Sequence, residues 1–93
     1  MIKLDLKPKA LKFIKTLPKK HNRQIKNYIL GLQVNPLPHD ARPLRGFNPY
    51  LRADCGEYRI IYKNNPKQNL VTIVLVGKRN GDEVYRQFKR MVN

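Results

Sequence analysis

Three arginines and one tyrosine in the second half of the chain are the residues best suited to phosphate chemistry. Arg52, Arg59 and Arg79 each lie in or at the end of a predicted strand, and Tyr85 follows them. Because adjacent strands lie about 4.8 Å apart, these arginines could converge on one phosphodiester, whose oxygens a guanidinium binds with two parallel N–H donors. The alternative is that they are solvent-facing residues of a half-exposed sheet, and spacing alone favours this alternative.

Tyr85 also has two interpretations. Together with Phe88 and Val92 it extends the apolar stripe of a predicted C-terminal helix, and spacing favours this structural role. For catalysis, a tyrosine is a weak base at neutral pH unless nearby cations stabilise its phenolate form. Arg52 and Arg59 on the predicted sheet are two cations that could do so, and Arg79 is a third.

Other catalytic groups are missing or poorly placed. The sequence contains neither of the glycine-rich phosphate loops GxxxxGK[ST] and GxGxxG. Nothing in the sequence brings His21 and His39 together on one phosphate, so a structural or solvated role is predicted for both. The six carboxylates and the single Cys55 do not match the ligand spacing of a metal site. We therefore expect no metal and no small-molecule cofactor.

The charge of the chain indicates a polyanionic partner. Its 93 residues include 20 lysines and arginines against 6 aspartates and glutamates, which gives a formal net charge of +14, and the basic residues are scattered along the chain. The N-terminal MIKLDLKPK has no signal-peptide core, no apolar stretch approaches 20 residues, and Cys55 cannot form an internal disulfide. We expect one domain over residues 1–93, a cytoplasmic location and no membrane association.

The first third of the chain predicts a strand followed by a helical hairpin. Residues 2–6 (IKLDL) alternate between apolar and polar, which is typical of a strand. Pro8 suits the first position of a helix that Pro18 ends, and a second helix follows directly. The apolar stripe of the second helix consists of Ile25, Tyr28, Ile29 and Leu32. Its basic residues, which face water or phosphate, are Lys19, Lys20, Arg23 and Lys26.

The rest of the chain predicts three strands and a helix. A proline-rich connection covers residues 35–49, in which Leu44-Arg45-Gly46 is a strand start or a turn. Residues 54–56 are predicted to form the turn between the first two strands. The predicted strands cover residues 50–53, 58–63 and 70–76.

The last strand and the final helix complete the predicted fold. The run LVTIVLV is typical of a strand buried on both faces, and the glycine after it, Gly77, is a place for a bend or for close backbone approach. Asn80, Asp82 or a neighbour is predicted to cap the final helix, whose apolar side consists of Val84, Phe88, Met91 and Val92. The order βααβββα predicts an α+β fold, a small antiparallel sheet with helices packed on it.

Four elements, taken in chain order, resemble the RelE branch of the RelE/ParE toxin superfamily. They are Leu44-Arg45-Gly46, Tyr50-Leu51-Arg52, Gly56-Glu57-Tyr58-Arg59-Ile60-Ile61-Tyr62, and Val76-Gly77-Lys78-Arg79 followed by Glu83-Val84-Tyr85. The resemblance covers nearly the whole chain. The GxYRxxY pattern is shared across the superfamily and implies only the fold. The VGKR and EVY pattern implies the branch that cleaves messenger RNA on the ribosome, as opposed to the branch that inhibits DNA gyrase.

The resemblance implies a role for each candidate catalytic residue. Arg59 and Arg79 match the arginines that hold the scissile phosphate and stabilise its charge in the transition state. Tyr85 matches a tyrosine proposed to act in proton transfer from the attacking ribose 2′-hydroxyl. Arg52 matches a basic position that is often lysine in the family. The turn between Arg52 and Arg59 differs in length from the turn in relatives, and Tyr50 stands near the place of a second basic residue.

The resemblance also implies partners. Messenger RNA would be cleaved in the A site of the small ribosomal subunit, which would pull the substrate into line, and a cognate acidic antitoxin would block the toxin. The residues expected to bind RNA are Arg45, Lys78, Lys19, Lys20, Arg23 and Lys26. Two alternatives remain open: a gyrase-inhibiting relative, and a small basic RNA-binding protein without catalysis.

Overall fold

A computed structural model describes residues 1–92, which form five strands and three helices. The strands are β1 (Lys3–Leu6), β2 (Arg42–Pro43), β3 (Leu51–Cys55), β4 (Tyr58–Asn65) and β5 (Leu70–Lys78). The helices are α1 (Pro8–Lys15), α2 (Lys19–Leu32) and α3 (Glu83–Val92). The predicted α+β fold is confirmed. The two-residue strand β2, within the proline-rich connection, adds one element to the predicted order. None of these helices is long and apolar enough to cross a membrane.

The strands form one sheet in the order β1-β5-β4-β3-β2, and the sheet is mixed. Strand β1 pairs with β5 in parallel, whereas the other neighbouring strands are antiparallel. The predicted antiparallel pairing is confirmed for β3, β4 and β5, whereas the pair of β1 and β5 at this edge is parallel. A parallel pair of strands requires a long connection between them. Here the connection from β1 to β5 contains the α1–α2 hairpin and strands β2, β3 and β4.

The β3–β4 hairpin is tighter than the predicted turn at residues 54–56. Cys55 pairs with Tyr58, so the turn consists of Gly56 and Glu57 alone. Gly56 has φ +59°, a conformation that glycine adopts at little cost and that suits the first position of a two-residue hairpin turn. The shorter turn places Asp54 within β3, directly opposite Arg59 of β4.

Two apolar cores lie on the two faces of the sheet. Helices α1 and α2 cover one face, where Ile25, Ile29 and Leu32 are buried as predicted and Tyr28 is half-buried. The other face packs against α3. Its buried residues are Leu44, Ile61, Val74, Leu75, Val84 and Phe88. Met91 and Val92 of α3 are exposed, so the predicted apolar side of this helix extends too far.

Gly77 allows α3 to lie directly on β5. A Cβ atom at this position would lie 3.1 Å from Val84 Cβ and 3.2 Å from Val84 Cγ2, both closer than ordinary carbon contacts. The predicted close approach at Gly77 is thus confirmed. Because Tyr85 follows Val84, this contact also sets the distance of Tyr85 from the sheet.

Candidate functional site

An open groove with a volume of about 990 Å³ lies on the α3 face of the sheet. Its walls come from α3, from the segment that contains β2, and from β3 and β4. Six of the side chains that line it are cationic, and one, Asp82, is acidic. The cationic side chains are Arg42, Arg45, Arg52, Arg59, Arg86 and Lys89. A groove of this composition suits a phosphate backbone.

Arg59 occupies a fixed position in this groove because it is held on two sides. Its Nε donates to Asp54 Oδ1 at 2.7 Å, and its Nη2 donates to Asp54 Oδ2 at 3.2 Å. Its Nη1 donates to Tyr85 Oη at 2.6 Å. The Arg59 side chain is only 15% exposed. The guanidinium therefore joins a carboxylate on the neighbouring strand to the phenol of α3.

The register of the sheet explains this arrangement. Asp54 and Arg59 are directly opposed across β3 and β4, and Arg52 lies on the same face because side chains two residues apart share a face. On its other side, Arg59 pairs with Gly77 of β5. The missing side chain at Gly77 leaves the space that α3 needs to bring Tyr85 to Arg59.

The charges of three arginines act on the Asp54 carboxyl. The hydrogen bonds from Arg59 are the largest cause that lowers the pKa of Asp54 below its ordinary value, and partial burial opposes them. The positive charges of Arg59, Arg79 and Arg52 lower this pKa further. The Asp54 carboxylate therefore bonds directly to Arg59 and also lies within the electrostatic influence of Arg52 and Arg79.

The candidate catalytic residues differ in how closely they contact the groove. Arg52, Arg59 and Tyr85 line it. Arg79 is exposed and does not line it, although its charge reaches Asp54. The backbone N–H of Arg79 donates to Glu57 O at 2.9 Å, which extends the ladder past the end of β5.

The residues expected to bind RNA lie on both faces of the sheet. Arg45 lines the groove. Lys78 follows Gly77 in β5 and pairs with the buried Tyr58, so alternation places it on the other face. The remaining four, Lys19, Lys20, Arg23 and Lys26, belong to α2, which covers that other face. The basic surface of α2 is thus separate from the groove.

The two histidines lie outside the groove. His21 Nδ1 and Tyr58 Oη share a hydrogen bond of 2.6 Å, so His21 has a structural contact. His39 is exposed, and its carbonyl oxygen accepts from Arg42 Nη1 at 2.6 Å. Within residues 1–92, no three His, Cys, Asp or Glu side chains are arranged to hold a metal ion.

Several residues that line the groove or, like Asp54, contact a groove residue are not identified from the sequence. Asp54 is predicted to lie in a turn but belongs to β3. Arg42 belongs to β2, a strand too short to show a sequence pattern, and it pairs with Arg52. Asp82, Arg86 and Lys89 were detectable, because with Tyr85 they follow the i, i+3, i+4, i+7 spacing of one helix face.

Tyr50, near the expected place of a second basic residue, is half-buried at the edge of the α3-side core. Its ring packs on Phe88, with the ring centroids 4.8 Å apart. Lys63 Nζ lies 5.5 Å from the centroid of the Tyr50 ring. Tyr50 therefore has a packing role in this structure.

The family of the chain is shown by a match that covers most of its sequence. A model of the family described as ParE toxin of type II toxin–antitoxin system, parDE, matches residues 4–83. The chain belongs to this family. The protein is thus a toxin of a type II toxin–antitoxin system, and the predicted membership of the RelE/ParE superfamily is confirmed. No curated protein sequence shows a significant match to it.

Solved structures similar to this toxin include RelE proteins. The toxin is 27% identical to a chain of the archaeal RelE-RelB complex from Pyrococcus horikoshii OT3, with a TM-score of 0.76 over 85% of this chain and 96% of that chain. A mutant of E. coli toxin RelE in the free state is 23% identical, with a TM-score of 0.79 over 99% and 98%. The RelB-RelE complex from Methanococcus jannaschii gives 24% identity and a TM-score of 0.70 over 90% and 98%. The toxin has the RelE fold.

Proposed function

We propose that this toxin is an endoribonuclease that cleaves messenger RNA in the ribosomal A site. In this reaction the ribose 2′-hydroxyl attacks the adjacent phosphate, and no metal takes part. The observation that carries the proposal is the 2.6 Å hydrogen bond from Arg59 to Tyr85 in a groove lined by six cationic side chains. This arrangement places the Tyr85 hydroxyl, which can transfer a proton, beside cations that can neutralise the charge of a phosphate.

The chemistry has three requirements, and the groove supplies two of them. The pentacoordinate phosphorane gains negative charge, which Arg52 and the other groove cations stabilise, because guanidinium groups bind phosphate oxygens bidentately and remain charged. The 2′-hydroxyl proton is transferred through Tyr85 Oη, which accepts a hydrogen bond from Arg59 Nη1 at 2.6 Å. The 2′-oxygen then bonds to phosphorus, the bond to the 5′-oxygen breaks, and that oxygen takes a proton from water. The products are a 2′,3′-cyclic phosphate and a 5′-hydroxyl.

The third requirement is that the attacking 2′-oxygen and the leaving 5′-oxygen lie in line at the phosphate. We propose that the ribosome supplies this geometry. The groove is open, and it contains no strong base, so a free and flexible RNA would be a poor substrate. A ribosome that holds the messenger RNA with its 2′-oxygen in line with the leaving 5′-oxygen would remove the entropic cost of fixing a flexible substrate. The basic surface of α2, on the other face of the sheet, is then available for ribosomal RNA while the groove contacts the message.

An acidic antitoxin is the second proposed partner. The toxins similar to this one from Pyrococcus horikoshii and Methanococcus jannaschii are in complexes with RelB. A net charge of +14 favours fast, electrostatically steered capture by an acidic protein. Such a partner would also stabilise the toxin, since its cations repel one another.

Inhibition of DNA gyrase is a second candidate function, because the matched family is described as that of ParE toxins. The contact between Arg59 and Tyr85 favours RNA cleavage, since an inhibitor without catalysis has no need for an arginine-bound phenol facing a cationic groove. Primer extension on messenger RNA from cells that express the toxin separates the two. Codon-phased cuts that disappear without ribosomes support cleavage, whereas gyrase-linked DNA breaks with intact messages refute it.

A further inference from the structure

A carboxylate bonded to an arginine of an RNA-cleaving groove requires an explanation. Asp54 repels phosphate and cancels one positive charge, so it opposes substrate binding. It nevertheless accepts two hydrogen bonds from Arg59, at 2.7 and 3.2 Å, and its side chain is 39% exposed. The ion pair is partly buried, since the Arg59 side chain is 15% exposed, so it also contributes to the stability of the fold. Substrate binding therefore does not account for a carboxylate in this place, and an ion pair that only stabilised the fold would have no need of the further contact from Arg59 to Tyr85.

The geometry of the Arg59 guanidinium points to a different role for Asp54. The group has five N–H donors in a rigid plane. Asp54 takes the edge formed by Nε and Nη2, which leaves Nη1 to donate to Tyr85 Oη at 2.6 Å. Because the plane is rigid, fixing one edge also fixes the direction of Nη1. The position of Asp54 on β3 thereby determines where Arg59 meets Tyr85.

We propose that Asp54 is a positioning residue for cleavage, which acts through Arg59 to orient and stabilise the reactive oxygen of Tyr85. This inference rests on the proposed ribonuclease function. Without the carboxylate, the Nε and Nη2 edge of Arg59 is released to bind substrate phosphate, and the guanidinium turns away from Tyr85. Asp54 thus divides the roles of the arginines: Arg59 contacts the phenol, while Arg52 and the other groove cations bind the phosphate together with Arg79 from the end of β5.

This difference in roles explains why the site contains both the Asp54–Arg59 ion pair and arginines whose side chains have no bonded partner among residues 1–92. Arg52 lies two residues from Asp54 on the same face of β3, and Arg79 is exposed at the end of β5; both charges act on Asp54. No hydrogen bond or salt bridge joins the side chain of either arginine to another part of residues 1–92. These two guanidinium groups are available to a phosphate in a way that Arg59 is not.

The test is a double-mutant cycle in single-turnover cleavage of messenger RNA on programmed ribosomes. Asp54→Asn keeps the shape of the side chain and loses the charge and one acceptor. It is expected to lower the rate about 10- to 100-fold with ribosome binding no weaker than that of the wild type, since small misplacements of catalytic groups have effects of this size. In a Tyr85→Phe background, Asp54→Asn should change the residual rate less than about twofold, because the hydroxyl through which Asp54 affects cleavage is absent.

Two variants and a spectroscopic readout complete the test. Asp54→Glu keeps the carboxylate and should restore part of the rate. Asp5→Asn removes a carboxylate that pairs with Lys7 at 3.0 Å on strand β1, at the other edge of the sheet, and should leave cleavage unchanged. In ¹⁵N NMR spectra, the Arg59 Nη signals should be separately resolved in the wild type, where the group is held, and should merge in Asp54→Asn.

The outcomes separate the role of Asp54 from the function itself. If the wild type cleaves and Asp54→Asn cleaves equally fast, or slows cleavage by the same factor with and without the Tyr85 hydroxyl, the positioning role is refuted and the function stands. A faster Asp54→Asn toxin would mean that the carboxylate blocks the groove, which also refutes it. A wild type that cuts no message on ribosomes overturns the function and the positioning role together.

Discussion

Substitution of Gly77 by alanine tests whether the contact between β5 and α3 places Tyr85. The new Cβ would lie 3.1 Å from Val84 Cβ, where carbon atoms ordinarily lie about 3.5 to 4.0 Å apart. Val84 is buried and β-branched in a helix, so its side chain has little freedom to turn, and α3 must move by a few tenths of an ångström. Overpacking of this kind costs about 1 to 3 kcal/mol.

The net effect of Gly77→Ala is smaller than the overpacking cost, because alanine in a strand recovers about 0.5 to 1 kcal/mol relative to glycine. We expect the free energy of unfolding to fall by about 1 kcal/mol, which lowers Tm by about 4 to 8 °C in a domain of this size. The displaced helix lengthens the 2.6 Å bond between Arg59 and Tyr85, so single-turnover cleavage should fall about tenfold or more.

Gly31→Ala is the matched control for this experiment. Gly31 lies in α2, and a Cβ added there meets nothing within 4 Å. The same change should raise stability by about 0.5 to 1 kcal/mol and leave cleavage unaltered. Calorimetry and the cleavage assay check both variants. A Gly77→Ala toxin as stable and as active as the wild type would show that α3 does not depend on this contact.

Two further predictions concern charge. The pKa of Asp54 is depressed in the folded state, so its ionisation stabilises the fold above the unfolded pKa, and this contribution is lost as the pH falls through the folded value. The difference in unfolding free energy between wild type and Asp54→Asn, measured in urea, should therefore narrow below about pH 4, whereas a constant difference would contradict the assignment. Replacement of Lys19, Lys20 and Arg23 by glutamine should weaken ribosome binding and reduce its dependence on log salt by about 0.7 to 0.9 for each RNA phosphate that these side chains no longer neutralise. An unchanged salt dependence in filter binding would show that α2 does not contact RNA.

Strands β3 to β5 and all three helices were predictable because their patterns are local. The alternation in YRIIYK and the helical spacing of Ile25, Ile29 and Leu32 follow from which side chains each element buries. The pairing of β1 was not predictable in the same way. The pattern IKLDL indicates a strand, but a strand pattern contains no information about a partner more than 60 residues away, at Leu70 and beyond.

The site was only partly predictable because it depends on register. A turn one residue longer in the β3–β4 hairpin would shift the pairing, and a shift of one residue reverses which face a side chain occupies. The motif Asp-Cys-Gly has the composition of a turn, so Asp54 was assigned to one, whereas the two-residue turn places it opposite Arg59. The approach of Tyr85 depends on the space at Gly77, which becomes visible only in three dimensions.

Single-turnover cleavage of messenger RNA by wild-type toxin and by Tyr85→Phe, on ribosomes programmed with a defined codon in the A site, tests the central claim most directly. Binding of both proteins to the ribosomes is measured under the same conditions. We predict codon-phased cuts by the wild type, and a rate about 10² to 10⁴ times lower for Tyr85→Phe with equal binding, as expected on removal of a proton-transfer group. Cleavage by Tyr85→Phe at the wild-type rate would contradict the account.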